Sequence, residues 1–152
     1  MSENGNEKWK EGIELLRKKN YKSAINKFNE AITYFDNKNN DLGKASSLLG
    51  LALANISLNN DEIALKILEK GINIVKKINF KPGIAAYLLN KGILFQKFQK
   101  FDMALDNYNS SLKFFSEIND INSIKNVSDL IEKCKKEKTT FNMLRNSINN
   151  DK

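Results

Sequence analysis

Any chemistry in this chain would fall to lysines and carboxylates, because its 152 residues contain no histidine and a single cysteine, Cys134. A general base poised near neutral pH, a His/Cys metal site and a nucleophile–imidazole pair all lack their usual side chain. Cys134 has no cysteine to pair with. It shares a helix-spaced apolar face with Ile124, Val127, Leu130 and Ile131, so it reads as a buried core thiol rather than a reactive one. The acidic residues are scattered over outward faces, and no glycine-rich phosphate loop occurs. The expectation is a chain with no catalytic residue, no metal and no cofactor.

What charge there is leans basic: 25 Lys and Arg against 18 Asp and Glu, a net +7. Only Arg17 and Arg145 carry a guanidinium, the bidentate fork on which readers of bases and phosphates rely. The runs Lys18-Lys19-Lys22 and Lys133-Lys135-Lys136-Lys138 are read as solvated faces. Nucleic acid, an acidic partner or an anionic lipid surface is the sharper alternative for them. Abundant Lys, Asn, Ile and Phe also follow from AT-rich codons without any function.

The elements that would position a binding site are spelled three times. From Phe101 the apolar or small positions are Phe101, Ala104, Leu105, Tyr108, Ser111, Leu112 and Phe115, the spacing of one helical face. Forty residues earlier the same offsets hold Asp61, Ala64, Leu65, Leu68, Gly71, Ile72 and Val75, and forty before that Tyr21, Ala24, Ile25, Phe28, Ala31, Ile32 and Phe35. Such a period marks stacked supersecondary units. Gly12, Ala52 and Gly92 share one offset of the preceding helices. Helices approach within roughly 8–10 Å where the contact residues are small, and a glycine inside a helix, at a cost of about 1 kcal/mol against alanine, needs such a reason.

In chain order, residues 1–6 read as a flexible N-terminus and 7–138 as a single domain. Its repeats are about 7–40, 41–80 and 81–120, with Pro82 opening the third, and a capping helix spans 121–138. In that helix Glu132 occupies the offset of Gly12, Ala52 and Gly92. A buried charge there would be costly, so repetition should stop with Glu132 in water. Residues 139–152 form a tail in which Phe141, Leu144 and Ile148 have the spacing of a short amphipathic helix, hinged at Thr139-Thr140. No apolar run approaches the roughly 20 residues of a membrane span, and the polar N-terminus lacks the apolar segment of a signal peptide. The expected compartment is the cytoplasm.

The series Gly12, Tyr21, Ala24, Phe28 and Ala31, repeated as Gly92, Phe101, Ala104, Tyr108 and Ser111, resembles the tetratricopeptide repeat. The middle unit keeps Ala52, Ala64, Leu68 and Gly71 but has Asp61 in place of the aromatic. The 40-residue period is similar to the longer repeats of Pins-type scaffolds, kinesin light chains and Rap-type bacterial regulators. The resemblance implies an all-α fold: a right-handed superhelix of three helical hairpins plus a C-terminal capping helix. It also implies a non-enzymatic scaffold or adaptor that binds peptides or protein segments in a concave groove lined by the first helix of each hairpin.

Two departures refine that expectation. Where such repeats grip the C-terminal carboxylate of Hsp70 or Hsp90 with Lys, Asn and Arg, this chain has Trp9, Ile13, Gly50, Ala86 and Asn90; the clamp is absent. Along the groove the resemblance places Trp9, Ile13 and Leu16, then Leu49, Leu53 and Ile56, then Leu89 and Ile93, a nearly continuous aliphatic floor. Its expected partner is a protein or peptide, most simply an amphipathic helix met through i, i+3, i+4, i+7 anchors. The alternatives are that the stripe is core, or that the protein associates with itself, its own or a second copy's tail covering the groove.

Overall fold

The computed structural model describes residues 4–150. Seven helices account for nearly all of them: α1 (Gly5–Arg17), α2 (Tyr21–Asn37), α3 (Asp41–Ser57), α4 (Asp61–Lys77), α5 (Lys81–Lys97), α6 (Phe101–Glu117) and α7 (Ile121–Asn150). Among the described residues there is no strand. Contacts gather into two compact units, one ending at Tyr87 and the other beginning at Leu88, with α5 running through the boundary.

The forty-residue repeat is built from a twenty-residue half. Each of α2 to α6 is 17 residues long, and every turn is made the same way. Lys19, Asn39, Asn59, Asn79, Gln99 and Asn119 all sit in the left-handed region, with φ between 51° and 59°. The amide that follows each one donates to the carbonyl five residues back: Asn20 to Leu15 at 2.8 Å, Asn40 to Phe35 at 2.9 Å, Lys100 to Phe95 at 2.8 Å. Asn60, Phe80 and Asp120 do likewise. This is a Schellman closure, which satisfies carbonyls that a helix end leaves orphaned. Asparagine fills four of the six positions because it tolerates that backbone better than other residues with a Cβ. The next helix starts at once, with Asn20 and Asn40 accepting from the amides of Ser23 and Gly43.

Glycines let aromatic rings pass between helices. In the first unit α1 packs on α2, α2 on α3 and α3 on α4, and α1 also reaches α3. Phe28 of α2 is fully buried between Gly12 and Gly50. A Cβ on Gly12 would stand 2.7 Å from its ring, and one on Gly50 would be closer still. Phe35 sits likewise between Gly5 and Gly43. Tyr87 slides past Gly71 to donate its hydroxyl to the Ala45 carbonyl at 2.6 Å. In the second unit a Cβ on Gly92 would come within 2.6 Å of the Tyr108 ring, whose hydroxyl donates to Gln96 Oε1 at 2.7 Å.

Three boundaries differ from the sequence expectation. The chain is ordered earlier: Asn4 and Glu7 form a reciprocal capping box that starts α1 at Gly5, so of the flexible N-terminus only residues 1–3 lie outside the described residues. Pro82 is the second residue of α5, not the first, still within the turn where a missing N–H costs nothing. The third concerns the tail: α7 continues unbroken through Lys138 to Asn150. The hydroxyls of Thr139 and Thr140 donate to the carbonyls of Lys135 and Lys136, four residues back, which lets threonine sit inside a helix. Residues 151–152 of that tail lie outside the described residues. Val127, Ile131 and Cys134 of α7 are buried, burial holds the Cys134 thiol above its ordinary pKa, and Glu132 faces water.

Candidate functional site

α3 is covered nearly all round. Ala45, Ser47, Leu48, Gly50, Leu51, Ala52, Ala54 and Asn55 are buried, because α2 lies on one side and α4 on another. Past its first turn, where Asp41, Gly43 and Lys44 are half-buried, the half-buried residues form a single row, Ser46, Leu49, Leu53 and Ile56, spaced 3, 4 and 3 along one face. α1 presents the matching row Trp9, Ile13 and Leu16, also half-buried. Two neighbouring helices therefore turn an apolar strip of six side chains to the same kind of setting, neither core nor free in water.

The inner edges of the α1 row belong to the core. Trp9, Ile13 and Leu16 pack on the buried cluster of Ala24, Phe28, Leu51 and Ala54. The Trp9 Nε1 proton has no hydrogen-bond partner among the described residues, and a buried donor left unpaired costs about 1–3 kcal/mol. Around the outer edges the surface is concave. A hollow of about 230 Å³ is lined by Asn6, Trp9, Asn40, Leu42 and Ser46. A second, of about 150 Å³, lies among Leu42, Ser46, Leu49, Phe80, Pro82 and Ala86. The two share Leu42 and Ser46.

Of the residues expected in the groove, Trp9 and Leu49 line these hollows, while Ile13, Leu16, Leu53 and Ile56 continue the two rows as half-buried positions. Leu89 and Ile93 lie on the part of α5 in the second unit and are half-buried there. Missed from the sequence were Leu42, which is 45% exposed, Ser46 and Pro82. The signal for them existed: Asn6, Ser46 and Ala86 stand forty residues apart, one helical turn before Trp9, Leu49 and Leu89. The tail continues α7 in the second unit. Phe141 rests on Phe101, ring centroids 5.6 Å apart, but Leu144 and Ile148 are 60% and 63% exposed.

Paired helices, repeated turns and small-residue contacts define an all-α protein of stacked helical hairpins. The backbone is similar to the crystal structure of the apo form of RapI, with a TM-score of 0.83 and 18% sequence identity over 91% of this chain. The match takes in 51% of RapI, so the chain spans about half the length of that protein. At this identity the likeness speaks to the fold alone. No family model matches the chain, and comparison with curated proteins finds no match. Among the described residues no helix is long and apolar enough to cross a membrane.

Proposed function

We propose that the chain is a non-enzymatic protein-interaction module of the tetratricopeptide type, working in the cytoplasm, and that the apolar face of α1 and α3 holds an amphipathic helical or peptide segment. The observation that carries this reading is the pair of half-buried rows, Trp9-Ile13-Leu16 and Leu49-Leu53-Ile56, bordered by hollows at Trp9 and Leu49. Rows at this spacing are what the anchors of an amphipathic helix would meet. A strip in this state recovers roughly 25 cal/mol for each Å² of apolar surface that a partner covers. Leu89 and Ile93 give the second unit's part of α5 a half-buried row of the same kind.

The test is selection of displayed helical peptides on the full chain, followed by Leu53→Asp and Leu49→Asp variants. The expected result is enrichment of amphipathic sequences whose binding both variants abolish while the helical circular dichroism stays intact. If Leu53→Asp unfolds the protein, the strip is core and the site assignment fails. If the selected peptides bind both variants as well as the parent, the groove lies elsewhere. Dimerisation that the same two variants disrupt would assign the face to a second copy.

A further inference from the structure

The second unit carries a concave surface of different chemistry. Past Phe141 every side chain of α7 from Asn142 to Asn149 is exposed, so the end of this helix stands clear of the hairpin. Between it and the α5–α6 turn opens a notch of about 560 Å³, with Gln96, Lys97 and Gln99 on one side and Lys136, Thr140 and Leu144 on the other. The Phe101–Phe141 ring pair lines it. Beyond the same rings a further hollow of about 420 Å³ takes in Lys100, Met103 and Arg145.

The charges here do not balance. Each hollow carries one carboxylate in its lining, and both are engaged: Glu137 of the notch accepts from Gln96 Nε2 at 2.7 Å and Asp102 of the further hollow is paired with Lys138. The side chains of Lys100, Lys136 and Arg145 have no carboxylate partner among the described residues. Cations thus ring an apolar floor on which Met103 and Leu144 are 46% and 60% exposed.

We propose that the notch and the hollow beyond its rings together dock one short acidic peptide segment, its carboxylates meeting Lys136 at the notch and Lys100 and Arg145 at the hollow, with an apolar side chain entering beside Phe101 and Phe141. The sign of the charge selects the partner. A second copy is a poor source of acid, since the chain itself carries a net +7, and a flat lipid surface does not fill a notch. The proposal is independent of the α1–α3 face.

The experiment uses the full chain and a fluorescent peptide built only of Glu, Leu and Phe, followed by anisotropy at physiological salt. Lys136→Glu combined with Arg145→Glu should weaken binding about tenfold, the scale of a few exposed charge pairs exchanged for repulsions. Leu144→Ser should weaken it several-fold, and Leu53→Asp should leave it unchanged. All three α7 positions are exposed, so the fold tolerates these changes. Equal affinity for polyglutamate would overturn the apolar half of the proposal. Equal affinity for phosphatidylserine vesicles would assign the patch to a membrane instead. Self-association abolished by the double charge reversal would assign it to a second copy. No binding of the Glu/Leu/Phe peptide, or its loss in a Leu53→Asp variant whose helical circular dichroism is intact, would refute it outright.

Discussion

Six turns with one backbone geometry but unequal residues make a sharp stability test. Lys19 and Gln99 occupy the left-handed position at φ 59° each, where the sister turns carry asparagine. A Cβ in that region costs about 1–2 kcal/mol for an ordinary L-residue. Glycine removes that cost but gains freedom in the unfolded chain worth about 0.4–1 kcal/mol. Lys19→Gly and Gln99→Gly should therefore each stabilise by a net ~0.5–1 kcal/mol, the difference of those two effects. For a chain of this size that raises the melting temperature by about 1–4 °C per site. The sites lie in different units, so the double variant should show the sum. Melting by far-ultraviolet circular dichroism reads all three proteins, and Asn79→Ala, at φ 51°, serves as the opposite control and should melt lower. If both glycine variants melt at or below the parent while Asn79→Ala is neutral, the turn geometry does not limit stability and the argument is wrong.

Further outcomes follow from the packing and the caps. Gly92→Ala should lower the melting temperature despite alanine's better helix propensity, because the Tyr108 ring, 2.6 Å from the new Cβ, is tethered to Gln96; overpacking of this kind costs roughly 1–3 kcal/mol. Tyr87→Phe, which removes the 2.6 Å bond to the Ala45 carbonyl, should cost about 1 kcal/mol, the net value of an ordinary hydrogen bond, in a denaturant titration. Asp120 caps α7 through the Ser123 hydroxyl and amide, and the bonds from Ser123 hold its carboxyl below the ordinary 3.8. A depressed carboxylate stabilises above its unfolded pKa and stops doing so as pH falls through its folded one. The melting gap between parent and Asp120→Ala should therefore be open at neutral pH and close in acid below 3.8.

Periodicity alone carried the helices and their order. Ala24, Ala64 and Ala104, all fully buried, and Gly12 and Gly92, pressed against Phe28 and Tyr108, stand where small residues at fixed offsets required close helix contacts. Local chemistry determines these positions: hydrophobic spacing, helix breakers and residue size are readable one residue at a time. The six left-handed turns came from the structure: asparagines at 39, 59, 79 and 119 mark four of them, while Lys19 and Gln99 carry no such mark in the sequence. The tertiary structure decided what periodicity leaves open. Thr139-Thr140 looks like a hinge in sequence, yet hydroxyl bonds to the preceding turn and the seat of Phe141 on Phe101 carry α7 straight through it. Whether Leu49 and Leu53 are core or surface could not be read from their type, because an apolar row faces whatever the neighbouring helices leave uncovered. Only the placement of α2 and α4 on either side of α3, and of α1 beside it, leaves that row half open. A side chain's identity sets how much it gains from burial; its neighbours in space set how much burial it gets.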